Sequence, residues 1–170
     1  MSRLENEMSM YFTDAIVLSR TDIGEADAIF SLYTKEYGKI RARAQGIKKG
    51  RAKLRGHLET LALSRVGFVA TKNGERLIYA EASAMWPGIR ADFECLRAAI
   101  YFASLVDSAT FVGEPDPDVW SHLKSAFGAL ETQGFEKESF EAFEKGLVRH
   151  LGYGSGGDIS ILGLSIARPV

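Results

Sequence analysis

The stretch AIFSLYTKEYGKIRARAQG, residues 28–46, predicts two β-strands joined by a short turn. Its first part, Ala28–Thr34, is rich in β-forming residues and is followed by the turn residue Gly38. Its second part alternates cationic and apolar side chains: the cations are Lys39, Arg41 and Arg43, and the apolar residues are Ile40, Ala42 and Ala44. Successive side chains of a strand point to opposite faces. We therefore predict a strand from residue 39 to about residue 45 that has one basic face and one apolar face.

Further strands are predicted on both sides of this hairpin. The apolar run Ala15–Ser19 precedes it, and a longer apolar segment, residues 58–70, follows it. Asn73-Gly74 is a dipeptide preferred in tight hairpin turns, and Arg76–Ala82 supplies the returning strand. About five strands thus follow one another with no helix-length pattern between them. Closure into a small barrel is the simplest arrangement that leaves no long exposed edge.

The positive charge of the chain is concentrated between Lys39 and Arg55. This segment holds eight basic residues and no acidic one, whereas the formal net charge of the whole chain is −1, so the remainder sums to −9. Such an asymmetry is typical of a protein that binds a polyanion. The alternative is an edge strand that uses lysine and arginine to prevent aggregation. The charge pattern by itself leaves both interpretations open.

A small barrel with basic and aromatic residues on one face is typical of the OB-fold, which binds single-stranded nucleic acids. In such sites the cations follow the phosphates and aromatic rings stack on unpaired bases. The predicted phosphate-binding residues are Lys39, Arg41, Arg43, Lys48, Lys49, Arg51, Lys53 and Arg55. Five of these lie in the loop 46–56, which has few apolar side chains and is predicted to be mobile. The candidate stacking rings are Tyr33, Tyr37 and Tyr79, although each also suits packing at the rim of the barrel.

Beyond Trp86 and Pro87 the apolar residues recur with a helical period. Asp92 is a predicted N-cap, and the apolar stripe that follows it consists of Phe93, Leu96, Ile100 and Ala103. Asp116-Pro117-Asp118 predicts a second helix start, because it places a cap, a proline and an acidic residue in the first turn. A third helix is predicted from about Glu136 to Gly152, with an apolar stripe made of Phe140, Phe143, Leu147 and Leu151.

These patterns predict an α+β protein with four segments. Residues 1–10 are a frayed N-terminal extension, 11–85 an OB-fold domain, 86–153 a small helical domain, and 154–170 a glycine-rich and then apolar tail. The apolar part of the tail, residues 159–166, either packs on the helices or binds a partner. No stretch approaches the roughly 20 apolar residues of a membrane span, and the N-terminus lacks the apolar core of a secretion signal. We therefore expect a cytoplasmic protein with no membrane contact.

No arrangement of residues predicts catalysis or a metal site. The single cysteine, Cys95, excludes an intramolecular disulfide and any multi-cysteine zinc site, and its apolar neighbours predict a buried thiol. The three histidines are isolated in sequence, and the common hydrolase, zinc-protease and phosphate-loop motifs are absent. The acidic cluster Asp22, Glu25 and Asp27 is interpreted as a polar turn that caps backbone amides or pairs with a basic neighbour. We expect no enzyme activity and no cofactor.

Several segments in order resemble the bacterial RecO family of recombination mediators. The first is TDAIVLSRTDIGEADAIFSLYTKEYGKI, residues 13–40, which is similar to the N-terminal signature of the family. The second, QGIKKGRAKLRGHLETLAL, residues 45–63, is similar to its basic loop and the strand after it. Residues 87–101 resemble its entry into the helical domain, and Leu151-Gly152-Tyr153 resembles the helix end before its cysteine-rich segment.

This resemblance implies an N-terminal OB-fold, binding to single- and double-stranded DNA, and annealing of complementary strands. It also implies that the protein works with RecR to load the RecA recombinase onto strands coated by single-strand-binding protein, at the nucleoid. The sequence departs from the family after residue 153, because GSGGDISILGLSIARPV stands where many members have a four-cysteine zinc ribbon. A generic RNA-binding module and a protein adaptor remain alternative functions, since an OB-fold does not by itself distinguish the sugar.

Overall fold

Five strands close into a barrel, and four helices follow it, in a computed structural model that describes residues 9–50, 52–154 and 156–169. The strands are β1 (Met10–Ile23), β2 (Asp27–Thr34), β3 (Gly38–Ala44), β4 (Leu63–Thr71) and β5 (Gly74–Ala84). The helices are α1 (Pro87–Ala91), α2 (Phe93–Ala109), α3 (Pro117–Gln133) and α4 (Lys137–His150). Short 3₁₀ helices cover Arg55–His57 and Ile159–Leu162. The predicted α+β class is confirmed.

The strand order around the barrel is β1-β2-β3-β5-β4, which is the order expected of an OB-fold. Neighbouring strands are antiparallel except at one seam, where β3 and β5 run parallel. This seam is short, since only Ala42↔Glu75 and Arg43↔Arg76 are partners. The first half of β3 and the second half of β5 therefore need other elements to cover their open edges.

Alternation along each strand fills the barrel interior. Phe30, Leu32 and Val66 are fully buried there, and the small residues Ala15, Ala28, Ala42 and Ala44 let the strands curve tightly around them. The β4–β5 turn has Lys72 and Asn73 as its central residues, because Thr71 pairs with Gly74. Gly74 has φ +100°, which favours glycine. The hairpin predicted from Asn73-Gly74 is confirmed.

The loop between α2 and α3 covers the open edge of β3. Val112 forms a parallel bridge with Lys39, and the Gly113 amide donates to the Lys39 carbonyl at 2.9 Å. Gly38 makes this contact possible, because a Cβ built there would lie 2.2 Å from the carbonyl oxygen of Glu114. Barrel and helices are thus joined through backbone as well as through side chains.

A second core joins the outer surface of the barrel to the helices. Ile16, Leu18 and Tyr33 lie on that surface and pack with Phe102, Leu123 and Phe127 of α2 and α3. The predicted caps are confirmed: the Asp92 carboxylate accepts from the Cys95 amide at 2.8 Å, and the Asp116 carboxylate accepts from the amides of Asp118 and Val119. Cys95 is buried, as predicted.

The predicted apolar stripe of α2 is half correct, because Ala103 is buried and Leu96 packs against the core. Phe93 is 70% exposed and Ile100 is 48% exposed, so neither belongs to the core. The face that α2 buries instead runs through Cys95, Ala98, Ala99, Phe102, Leu105 and Val106. This face also has helical spacing, and its alanines allow a close approach to neighbouring elements. Both stripes satisfy the same periodicity, so the period could not choose between them.

The helix α4 and the tail complete the helical part. Phe140, Phe143 and Leu147 are buried, as their spacing predicted. Ile159, Leu164 and Ile166 of the tail pack against the same core, and the Arg168 guanidinium donates to the buried carboxylate of Glu144 at 2.9 Å. The tail therefore packs back on the helices. In the part of the chain that the structure describes, no helix has the length and apolar character needed to cross a membrane.

Candidate nucleic-acid interface

The predicted two-faced strand is present in β3. Ala42 and Ala44 are buried in the barrel, whereas Arg41 and Arg43 are exposed on its outer surface. The register across the β3–β5 seam places Arg76 beside Arg43. Partner residues of neighbouring strands share a face of the sheet, so β3 and β5 together present three guanidinium groups on one side.

Lys39 lies on the same side of β3 but is covered by the C-terminal end of α2. Its ammonium group donates to the backbone carbonyl of Asp107 and lies 3.7 Å from the Asp107 carboxylate. That carboxylate also accepts from Ser19 at 2.9 Å and from Ser31 at 2.7 Å. The prediction that Lys39 faces a ligand is therefore wrong, because its charge is used to hold α2 against the barrel.

We expect Lys39→Ala to lower the free energy of unfolding by about 2 kcal/mol, since it leaves the Asp107 carboxylate without its cation. Urea unfolding followed by tryptophan fluorescence measures this loss. DNA affinity of the folded variant should stay within twofold of wild type. Lys35→Ala, at an exposed position in the β2–β3 turn, is the matched control. It should change neither the free energy of unfolding nor the DNA affinity. A tenfold loss of DNA affinity in Lys39→Ala would contradict the assignment.

Arg43 is held in place by Asp27. Its Nε donates to Asp27 Oδ2 at 2.9 Å and its Nη2 contacts the same oxygen, while Asp27 Oδ1 accepts from the Gly46 amide at 2.7 Å. The pKa of Asp27 is lowered, first by the Gly46 hydrogen bond and then by Arg43. The Arg43 side chain is still 55% exposed. The acidic cluster is thus a capping turn, as predicted, and Asp22 pairs similarly with Arg20 and Lys48.

The lowered pKa of Asp27 predicts a pH-dependent stability. Below its unfolded pKa near 3.8 the unfolded chain binds more protons than the folded chain, so stability falls as the pH drops through the folded pKa. We expect Asp27→Asn, which keeps an acceptor for Gly46, to show a shallower loss between pH 5 and pH 3. Urea unfolding across that range measures both slopes, with Glu59→Gln as a control carboxylate. Parallel curves for wild type and Asp27→Asn would contradict the expectation.

The start of the basic loop is tied to the β1–β2 turn. The Lys48 amide donates to the Ala26 carbonyl at 2.9 Å, and its ammonium group donates to the Gly24 carbonyl at 2.9 Å. Ile47 is buried and Leu54 packs against the barrel core. The expectation that this loop has too few apolar side chains to pack is therefore wrong, whereas its mobility stays a prediction.

The loop then covers the open edge of β5. Its 3₁₀ turn, Arg55–His57, lies beside β5, and the Ala82 amide donates to His57 Nδ1 at 3.2 Å. Lys49, Lys53 and Arg55 are exposed along this path and form no ion pair with any residue that the structure describes. Arg51 lies outside the described residues. We define the basic strip as the cations of β3, β5 and this loop that are not covered: the exposed Arg41, Arg43, Lys49, Lys53 and Arg55 and the half-buried Arg76.

Sequence reasoning missed Arg76 as a cation of this surface, and it also left out Lys72, an exposed cation of the β4–β5 turn. Arg76 was placed in a predicted strand, but nothing in the local pattern indicates that β5 pairs with β3 in parallel. Only that pairing brings Arg76 beside Arg43. The Asn73-Gly74 turn was the available signal for Lys72, since it places this residue at an exposed loop tip.

The three candidate stacking rings have different environments. Tyr33 is fully buried, and this burial, with the Asp116 charge as a smaller cause, raises its pKa to about 12. The prediction that Tyr33 stacks on a base is therefore wrong. Tyr37 is half-buried at the β2–β3 turn, six residues from Arg43 along β3, which is roughly 20 Å away in an extended strand. Tyr79 is exposed on β5, three residues from Arg76.

Tyr79 belongs to an exposed aromatic pair that sequence reasoning did not identify. Phe12 of β1 and Tyr79 lie across Gly67 of β4, and their ring centroids are 5.9 Å apart. A Cβ at Gly67 would lie 2.7 Å from the Phe12 ring, so glycine leaves room for both rings. The Tyr79 hydroxyl donates to Glu81 at 2.6 Å, which raises its pKa. Phe12 was missed because β1 begins five residues before the predicted strand.

Among the described residues, no group of three histidine, cysteine, aspartate or glutamate side chains is arranged to hold a metal ion. His57 accepts from the backbone of β5, as described above. His122 and His150 are not isolated, since their rings are 5.1 Å apart. His122 Nε2 lies 2.9 Å from the Phe143 carbonyl, and burial lowers the pKa of this histidine. These contacts give His57 and His122 structural roles, and His150 lies beside the His122 ring.

Comparison with known proteins finds similarity to one family over most of this chain. Residues 8–84 match the family described as "Recombination protein O N terminal". A DNA repair protein RecO of Myxococcus xanthus is 33% identical over 146 residues, which is 85% of this chain and 60% of the relative. Those of Pelotomaculum thermopropionicum and Geobacter metallireducens are 32% and 33% identical, over 86% and 83% of this chain. The chain thus spans less than two thirds of the length of these relatives, 57% and 58% for the latter two.

Proposed function

Because residues 8–84 place this chain in the recombination protein O family, we propose that it binds DNA during repair and recombination, with the basic strip as its phosphate-binding surface. One observation carries the proposal: Arg41, Arg43 and Arg76 lie side by side on the β3–β5 seam. The loop that covers the edge of β5 adds three exposed cations, Lys49, Lys53 and Arg55. Several cations on one protein can neutralise several phosphates of a strand.

The proposed mechanism is electrostatic and breaks no covalent bond. Cations of the basic strip bind the phosphates of one strand and release its counterions. The repulsion that a second, complementary strand would meet is thereby reduced, and annealing becomes faster. Arg43 acts in a fixed position because Asp27 holds it, whereas Arg41, Lys49, Lys53 and Arg55 are free to adapt to the backbone.

Base stacking is assigned to Tyr79 and Phe12 rather than to Tyr33. Both rings are exposed, and Tyr79 lies on the same strand as Arg76. Every base has an aromatic face, so stacking on these rings tolerates any sequence. We therefore propose a binding mode that holds unpaired strands without sequence preference, as an annealing protein requires.

The wider role follows the relatives and is part of this proposal. These relatives are called DNA repair protein RecO. We propose that this protein binds both single- and double-stranded DNA at the nucleoid. We further propose that it works with RecR to help RecA replace single-strand-binding protein.

The salt dependence of binding tests the basic strip. If six to eight phosphates are neutralised, the logarithm of the affinity for single strands should fall against the logarithm of salt concentration with a slope of about −4 to −6. Fluorescence anisotropy with a labelled oligothymidine between 50 and 300 mM salt measures the slope. A slope near zero would contradict electrostatic binding by this surface.

Strand annealing separates a mediator from a generic nucleic-acid binder. Complementary DNA strands should anneal faster in the presence of the protein than in its absence. This should hold for bare strands and for strands coated with single-strand-binding protein. RNA strands of the same sequence provide the comparison. Equal affinity for RNA with no annealing of coated DNA would favour the RNA-binding alternative, and no binding to either would favour the protein adaptor.

A further inference from the structure

An aromatic groove lies at the end of the barrel opposite the β1–β2 turn and has no part in the function proposed above. It has a volume of about 400 Å³ and opens between the β2–β3 turn, the ends of β4 and β5, and the α2–α3 loop. Tyr11, Tyr37 and Phe68 form its aromatic floor, with ring centroids 5.4 to 5.5 Å apart. Glu36 and Glu75 are the charged residues of its lining.

The two carboxylates are not neutralised within the protein. Neither Glu36 nor Glu75 forms an ion pair with any described residue, and no lining residue of the groove is cationic. One oxygen of Glu36 accepts from the Thr13 hydroxyl, which orients the group and leaves its second oxygen available. Lys39, the nearest cation of β3, is occupied by Asp107. The lining of the groove therefore carries two carboxylates and no cation, beside the half-buried rings of Tyr11 and Tyr37.

The fourth wall comes from the helical part of the chain. Val112, Gly113 and Pro115 line the groove, and the Lys39–Val112 bridge fixes their position. Val112 is 52% exposed, and Phe111, its neighbour in sequence, is 72% exposed. These residues offer apolar contact to the part of a ligand that remains outside, so the surface is larger than the groove itself.

From these features we infer that the groove binds an arginine side chain of a partner protein. A guanidinium group stacks flat on aromatic rings and also donates two parallel hydrogen bonds to a carboxylate. Tyr11 and Tyr37 supply the ring faces, while Glu36 and Glu75 supply the acceptors. DNA is excluded as the occupant because the same carboxylates repel phosphate. Acidic groove and basic strip would thus bind partners of opposite charge on separate surfaces.

Titration with small arginine analogues tests the inference directly. The probes are N-acetyl-arginine amide and N-acetyl-citrulline amide, which have the same shape but differ in charge. Binding is followed by NMR through the ring signals of Tyr11 and Tyr37 in the whole chain at low salt. We expect millimolar affinity for the arginine probe, at least fivefold tighter than for the citrulline probe. Equal shifts from both probes, or arginine-induced shifts that spare these rings, would overturn the inference.

Variants and a second cation sharpen the assignment. Glu36→Gln with Glu75→Gln should reduce the arginine affinity to that of citrulline, whereas Glu59→Gln, an exposed loop control, should leave it unchanged. The lysine probe, N-acetyl-lysine amide, should bind at least threefold more weakly, because an ammonium group lacks the planar fork. Equal binding of lysine would overturn the preference for arginine. DNA affinity of the double variant should not fall, which separates failure of this inference from failure of the proposed function.

Discussion

Gly38→Ala is expected to lower the free energy of unfolding by about 3 kcal/mol. Part of this loss is backbone strain, because Gly38 has φ +65° and a side chain there costs roughly 1 to 2 kcal/mol. The rest is steric. A Cβ at this position would lie 2.2 Å from the Glu114 carbonyl oxygen and 2.6 Å from the Pro115 nitrogen, and backbone atoms have no free rotation to relieve the clash.

Urea unfolding measures this loss, and Gly46→Ala provides the matched control. Gly46 has nearly the same φ, +68°, but a Cβ there would meet only the flexible end of Lys49 at 3.7 Å. The control should therefore lose only the strain, about 1 kcal/mol. Equal losses in the two variants would show that the α2–α3 loop does not press on β3, and the coupling of barrel and helices through Gly38 would be wrong.

Charge reversal in the basic strip should have the largest effect on DNA binding. We expect Arg41→Glu with Lys49→Glu to weaken binding to a labelled oligothymidine on the order of 100-fold at 100 mM salt. Two phosphate contacts are lost and two repulsions appear in their place. Both residues are exposed and neither forms an ion pair within the described part of the chain, so folding should be unaffected. Arg43 is avoided because its replacement would also release Asp27.

The salt slope distinguishes a local contact from a general change in net charge. Loss of two phosphate contacts should make the slope shallower by about 1.4 for single strands. Lys124→Glu with Lys137→Glu changes the net charge equally, but at exposed positions of α3 and α4. This control should keep the wild-type slope and lose less than threefold in affinity. If it weakens binding as much as the strip variant does, the basic strip is not the docking surface.

Local periodicity predicted the elements of this protein well. The alternation from Lys39 to Ala44 gave the correct faces of β3, and Asn73-Gly74 marked the β4–β5 turn. Asp92 and Asp116 marked two helix starts through hydrogen bonds to backbone amides two or three residues away. Each of these signals depends on residues only a few positions apart, so the local sequence is sufficient to predict it.

The wrong predictions share one physical origin: the local sequence does not show which surface of a strand or helix another element will cover. Lys39 and Arg41 have the same orientation on β3, yet only Lys39 meets Asp107 of α2. Tyr33 and Tyr79 are both strand tyrosines, but α2 and α3 cover one and leave the other exposed. Phe93 and Ile100 of α2 have the helical spacing of core residues, but neighbouring elements cover Ala99 and Phe102 instead.

By itself the sequence determined the kinds of elements, their order, the faces of the strands and the position of the concentrated positive charge. Tertiary structure alone decided which cations remain available, because the packing of α2 withdraws Lys39 and the parallel β3–β5 seam adds Arg76. It also created the aromatic groove, whose walls come from residues about 100 positions apart. Periodicity is a property of neighbours in the chain, whereas burial depends on which distant elements meet across space.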